Sequence, residues 1–164
     1  MERHLTATVY IVHEEKVLLI HHKKIGRWLP PGGHIDPNEM PHVAAIREAQ
    51  EETGLEVELI KQENIWINKS NARSIPRPFM CLLEEIPEFG DKPAHQHIDQ
   101  IFIGRPVGGV LNHNQDEVHD MRWFSLEELE RLNPEVEIFE ETLESISVIF
   151  EQLRKQDKQD RFAA

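Results

Sequence analysis

Apolar residues recur along this chain at two periods, and the change from one to the other separates its elements. Leu5 to His13 (LTATVYIVH) is rich in β-branched residues and predicts a strand, followed by a tight turn at Glu14-Glu15. Lys16 to His22 (KVLLIHH) returns as its hairpin partner, and the unbroken apolar run predicts burial on both faces. In Lys23 to Pro31 (KKIGRWLPP), Trp28 and Leu29 are expected to pack, while Pro30 and Pro31 stiffen the approach to Gly32 and Gly33. Glu56 to Ile67 predicts a strand with Trp66 near its end, Asn68 to Arg77 a polar connection, Pro78 to Ile86 a strand and Pro87 to Pro93 a loop. His97 to Arg105 reads as a strand, Pro106 to Gly109 as a turn, Asn112 to Asp120 as an acidic loop and Met121 to Phe124 as a short strand. Ser125 and Glu128 form a capping box that opens a helix, SLEELERL. Ile138, Phe139, Thr142, Leu143, Ile146, Ile149, Phe150 and Leu153 recur at helical spacing and predict a long C-terminal helix, with Lys155 to Ala164 fraying beyond it.

The most informative helical stretch lies between these strands. Glu39 to Thr53 predicts a helix with Asn38 as N-cap, Pro41 in the first turn and Gly54 as a left-handed stop. At about 100° per residue, Glu48, Glu51 and Glu52 share one flank, while Val43, Ala45, Ile46 and Ala49 can pack on a sheet. Crowded carboxylates repel, and a negative charge in the last turn also opposes the helix macrodipole. A bound cation removes both penalties; hard divalent ions such as Mg²⁺ or Mn²⁺ take carboxylate oxygens and keep waters for a phosphate-bearing substrate. The plainer alternative is a solvated acidic face, with Arg47 pairing to Glu51 four residues on.

The flanks of this helix complete a longer pattern: Gly33, five residues, Glu39, seven residues, Arg47-Glu48, Ala49, one residue, Glu51-Glu52, one residue, Gly54-Leu55. The pattern resembles the Nudix box of Nudix hydrolases, with only Ala49 smaller than the aliphatic residue usual there. The resemblance implies an α/β fold, a Nudix-type α/β/α sandwich with a mixed β-sheet, covering residues 1–164 as a single Nudix hydrolase domain. It implies metal ligation by Glu48, Glu51, Glu52 and Gly33, with Arg47 holding a glutamate in place and Glu39 supporting the site. It also implies an assisting acid in a downstream loop, for which Glu117 is the candidate, with Asp116 behind it. The implied reaction is metal-dependent pyrophosphohydrolysis of a nucleoside diphosphate joined to another group, such as an NTP, a dNTP or an ADP-ribose-like molecule, by water attack at phosphorus.

Specificity is expected outside the box. Arg27 is a candidate phosphate contact, and His95, His97 and Asp99 share one strand face at period two, a spacing fit for a substrate or a second metal. His97 and Asp99 are therefore taken with Arg27 and Gly33 as the substrate-binding set. The alternatives are a catalytically silent nucleotide sensor, which would usually lack box glutamates, and an RNA-end pyrophosphohydrolase. An isoprenoid diphosphate isomerase on the same fold would need a cysteine nucleophile, and Cys81 within strand sequence is a poor one.

Charge and composition narrow the partners. A formal charge of −12 with no basic stripe disfavours nucleic-acid polymers and anionic membranes, but not a small phosphorylated substrate. At 164 residues the chain suits one domain. The single cysteine, Cys81, is expected to be a buried strand residue and suits a reducing compartment. With no apolar stretch near the roughly 20 residues of a membrane span, a cytoplasmic location is expected. The resemblance also allows a homodimer, an assembly frequent in the family.

Overall fold

A computed structural model describes residues 1–62 and 65–163. Strand β1 (Arg3–His13) pairs antiparallel with β2 (Lys16–His22). Glu14 and Glu15 both take positive φ, 47° and 59°, the backbone of a two-residue turn matched to strand twist. Two short strands follow, β3 (Trp28–Leu29) on β2 and β4 (Gly32–His34) on β1. Helix α1 (Pro41–Thr53) then leads into β5 (Leu55–Leu59), β6 (Met80–Ile86), β7 (His95–Gly109) and β8 (Val118–Ser125). The one-turn helix α2 (Leu126–Leu129) and the long α3 (Glu140–Ala163) complete the chain.

The sheet is mixed. Its path runs β3-β2-β1-β7-β5, with β8 on β2 and β6 on β7, and β1 and β7 lie parallel while the other pairs are antiparallel. Strand alternation divides the buried residues into two cores. Ala7, Val9, Ile11, Leu18, Val57 and Phe102 meet Ala44, Ala45 and Ala49 of α1. Tyr10, Val12, Val17, Leu19, Ile101 and Ile103 meet Leu129 of α2 and Ile146, Ile149 and Phe150 of α3. The result is the expected α/β/α layering, and the three alanines, fully buried, let α1 lie close to the sheet. No helix among the described residues is long and apolar enough to cross a membrane.

Several boundaries differ from the sequence reading. Met40, not Asn38, is the N-cap of α1, and it makes no side-chain cap. Asn38 instead takes φ 67°, a left-handed turn conformation that asparagine tolerates, and Pro41 opens the helix. Gly54 ends it at φ 76°, as expected. Strand β5 stops at Leu59, and Trp66 is 54% exposed outside any strand; Glu63 and Asn64, which the expected strand also includes, lie outside the described residues. The expected turn Pro106–Gly109 is the end of β7: Pro106 sits opposite Val57, where the register shifts, and an irregularity of that kind accommodates a residue lacking N–H. Cys81 is in a strand but exposed, because β6 pairs only with β7 and alternates between half-covered and open positions. The capping box at Ser125 and Glu128 is present, although its helix is a single turn. Helix α3 continues to Ala163 through the segment expected to fray, as a solvated helix that includes an ion pair of Lys155 with Glu151 at 2.7 Å, and Ala164 lies outside the described residues.

Candidate active site

Both ends of α1 are tied to loops that carry charge. At its C-terminus, Asn112 N–H donates to the Thr53 carbonyl at 2.9 Å and Asn114 N–H to that of Glu52 at 3.3 Å, satisfying carbonyls the helix leaves open. This binding brings residues 112–118 beside the acidic flank. Glu117 lies in that loop, close enough that its charge raises the proton affinity of both Glu48 and Glu52.

Arg47 organises the other acids. Its Nε and Nη2 donate to the two carboxylate oxygens of Glu39, both at 2.9 Å, a bidentate pair. Nη1 donates to Glu48 at 2.8 Å and to Glu51 at 3.3 Å, and Nη2 also reaches the His34 carbonyl at 3.1 Å. One guanidinium thus binds the loop before α1 to two carboxylates on it. Glu39 is held below the ordinary carboxylate range by its hydrogen bonds from Arg47, with help from the Asp36 N–H.

The three glutamates of the flank differ in burial. Glu51 points outward, its side chain 57% exposed, whereas that of Glu48 is only 13% exposed. Glu52 is 3% exposed and accepts a hydrogen bond from the Gly32 N–H at 2.9 Å. Burial first, then the charges of Glu48, Glu117 and Glu51, push the Glu52 carboxyl up to about 8 against that hydrogen bond. Burial raises Glu48 as well, opposed by Arg47. With one guanidinium shared among Glu39, Glu48 and Glu51, the set fits an additional hard cation.

The glycines are placed by contact. In β4, Gly33 lies opposite Ala7, and a Cβ there would stand 2.5 Å from Glu48 Oε1. At Gly32 a Cβ would meet Thr8 Oγ1 at 2.5 Å. The Glu48 carboxylate therefore occupies the space a side chain at position 33 would need.

The other expected site residues lie elsewhere. The guanidinium of Arg27 sits over the Phe139 ring, 4.1 Å from its centre, donates to the Glu135 carbonyl and pairs with the Glu135 carboxylate at 3.6 Å. His97 and Asp99 face the α3 side of the sheet, away from α1, with Asp99 accepting from Thr6 Oγ1 at 3.0 Å. They are joined there by His4 and His34, which the sequence reading did not single out. His4 becomes visible only through the parallel pairing of β1 with β7, which sets it opposite His97, and His34 only through the pairing of β4 with Thr6.

Comparison with known proteins agrees with this architecture. The asymmetrical bis(5'-nucleosyl)-tetraphosphatase of Rattus norvegicus is 37% identical over 89 residues, 53% of this chain and 60% of that protein. The RNA pyrophosphohydrolase of Erythrobacter litoralis is 30% identical over 121 residues, 67% of this chain and 66% of the relative. The chain thus spans about three fifths to two thirds of the length of these curated relatives. The crystal structure of a NUDIX-family hydrolase from Clostridium perfringens superposes with a TM-score of 0.75 at 33% identity, covering 93% of this chain and 99% of that one. The NUDIX domain family model matches residues 2–146, and with the box glutamates Glu48, Glu51 and Glu52 gathered on one helix flank, the chain belongs to the Nudix family of hydrolases.

Proposed function

We propose that the protein is a Mg²⁺- or Mn²⁺-dependent pyrophosphohydrolase that splits the diphosphate of a nucleoside diphosphate linked to another group. The observation that carries this reading is the convergence of Glu48, Glu51, Glu52 and Glu117, with Glu52 buried and its proton affinity raised. Buried carboxylates at this density are costly unless a cation or a proton offsets them. Glu48, Glu51 and Glu52, with the Gly33 backbone beside them, would hold the divalent ion. When bound, the ion supplies charge neutralisation at the diphosphate and makes a nearby water more acidic.

The chain's own residues do the rest. Arg47 fixes Glu39 and Glu48 and so holds the box loop against the helix. The Gly32 N–H orients one oxygen of Glu52, leaving the other for the site. A carboxylate of the cluster takes the proton of the attacking water as the oxygen reaches phosphorus, and the bridging oxygen leaves with its phosphate. Glu117, exposed on its loop beside the acidic flank, would assist that transfer. Arg27, His97 and Asp99, expected as substrate contacts, lie away from this carboxylate cluster and take no part in the diphosphate step.

The substrate is read as a small nucleotide: an NTP, a dNTP or an ADP-ribose-like molecule. The formal charge of −12 weighs against an RNA end, although one relative is named for that activity. Absence of a membrane-spanning helix among the described residues and a single cysteine support a cytoplasmic setting. The deciding experiment is product release from a panel of nucleoside diphosphate derivatives with Mg²⁺, with Mn²⁺ and with chelator, coupled to pyrophosphatase so that both phosphate and pyrophosphate are seen. Chelator-sensitive cleavage of a panel member is expected. Silence of a folded, metal-binding protein across the panel would favour a nucleotide sensor.

A further inference from the structure

Four histidines converge on the sheet face opposite α1: His4 of β1, His34 of β4, and His95 and His97 of β7. Ring centres of His4 and His34 lie 5.2 Å apart, those of His34 and His97 5.1 Å, and those of His95 and His97 5.0 Å. One ring nitrogen from each of His4, His34 and His97 lies within 4.8 Å of one from each of the others.

The groups around the cluster bias what the inner nitrogens present. A neutral imidazole has one N–H and one lone pair. His95 Nδ1 faces the Pro93 carbonyl at 3.0 Å, which can only accept, so His95 Nε2 carries a lone pair. His97 Nδ1 faces the Glu84 carboxylate at 3.6 Å, and His4 Nε2 faces that of Glu2 at 3.1 Å. Both carboxylates stand outside the cluster and favour an N–H on the outer nitrogen, which turns His97 Nε2 and His4 Nδ1 toward the inside. Yet His95 Nε2 and His97 Nε2 stand 3.2 Å apart, and His4 Nδ1 stands 3.2 Å from His34 Nε2. Each close pair is joined either by an N–H of one ring or by a cation that takes the lone pairs of both. Both separations are close to the edge of a tetrahedral site, roughly 3.3 Å for Zn–N bonds of about 2.0–2.1 Å.

We propose that His4, His34 and His97 bind one transition-metal ion of the zinc class, at a site separate from the carboxylates of α1. Imidazole nitrogens select such ions, whereas Mg²⁺ selects the oxygens on the other face. Glu2 and Glu84 hold the rings of His4 and His97 from outside, as carboxylates commonly do for histidine ligands. His95 lies beside His97 but outside this three-nitrogen group. The ion would join β1, β4 and β7 at the end of the sheet where the box begins.

The test is equilibrium dialysis of the full chain against Zn²⁺ in excess Mg²⁺, followed by thermal unfolding. The wild type, and a Glu51→Gln/Glu52→Gln variant, should retain one equivalent of Zn²⁺ and melt higher with it. His4→Gln, His34→Gln and His97→Gln should each weaken uptake by at least about tenfold, the lower range for disturbing even an outer partner. Co²⁺ should give the visible spectrum of a tetrahedral nitrogen site in the wild type and lose it in His34→Gln. Zn²⁺ uptake that the histidine variants leave unchanged, that the glutamate variant abolishes, or that Mg²⁺ displaces would overturn the proposal. Should His4→Gln or His97→Gln fail to fold by circular dichroism, His34→Gln decides, because His34 is exposed.

Discussion

Adjacent residues of β4 face two different chemistries. Gly33 looks toward α1 and abuts the Glu48 carboxylate, while His34 looks the other way and touches His4 and His97. The acidic side has its own internal counterion, Arg47, which binds Glu39, Glu48 and Glu51 and leaves Glu52 to a backbone N–H. On the imidazole side, carboxylates stand at the edge, with Glu2 beside His4 and Glu84 beside His97. The contrast shows how one sheet keeps a carboxylate cluster and an imidazole cluster apart: alternation along a strand sends neighbours to opposite faces.

The strongest way to break the acidic half is to neutralise its carboxylates. Glu51→Gln and Glu52→Gln should each lower turnover by orders of magnitude with the fold intact, measured by product release and circular dichroism. Glu52→Gln should also melt no lower than the wild type in chelator, since burial disfavours the charge it removes. Unchanged rates in both variants would sink the assignment of metal ligands. A smaller loss is expected from Gly33→Ala. Its Cβ would stand 2.5 Å from Glu48 Oε1 and push that carboxylate aside; misplacement by about 1 Å costs up to about 100-fold in rate. A Gly33→Ala enzyme of normal rate would show that the position of Glu48 is not critical.

The two halves also differ in how far they can be read from residues alone. Glu48, Glu51, Glu52 and Arg47 sit on one helix, so a period of 3.6 places them together without any tertiary knowledge. The layering was equally readable, because β1, β2 and α3 carry long apolar patterns. The imidazole group was not: Arg3–His13 and His95–Gly109 are distant in sequence, and only their parallel register sets His4 opposite His97. Boundaries failed where tertiary pairing overrode local signals, as at Pro106–Gly109, where strong turn residues are held in β7 by β5. Cys81 failed for a related reason, since a strand's sequence does not say whether a layer covers its second face.

Arg47 sharpens the comparison by testing the counterion itself. Arg47→Ala removes every partner of the guanidinium at once and should cost about 2 kcal/mol or more of stability, in the range for hydrogen bonds to charged groups. Denaturant unfolding reads this directly, and a loss within error would mean the carboxylates are satisfied without it.

The finest test uses pH. Glu39 is held below its ordinary value of 4.5, first by the Arg47 hydrogen bonds, so its charged form favours the folded state. The contribution is therefore present above pH 4.5 and lost as pH falls through the depressed folded-state value. Glu39→Gln should be less stable than the wild type near neutrality, and the gap should close on acidification, because the wild type alone loses this term. Thermal melts at a series of pH values, taken in chelator so that cation binding does not contribute, measure the gap. A gap that stays constant down to the acid limb would show that Arg47 holds Glu39 through shape and hydrogen bonding rather than charge, and would weaken the picture of an acidic face organised by one guanidinium.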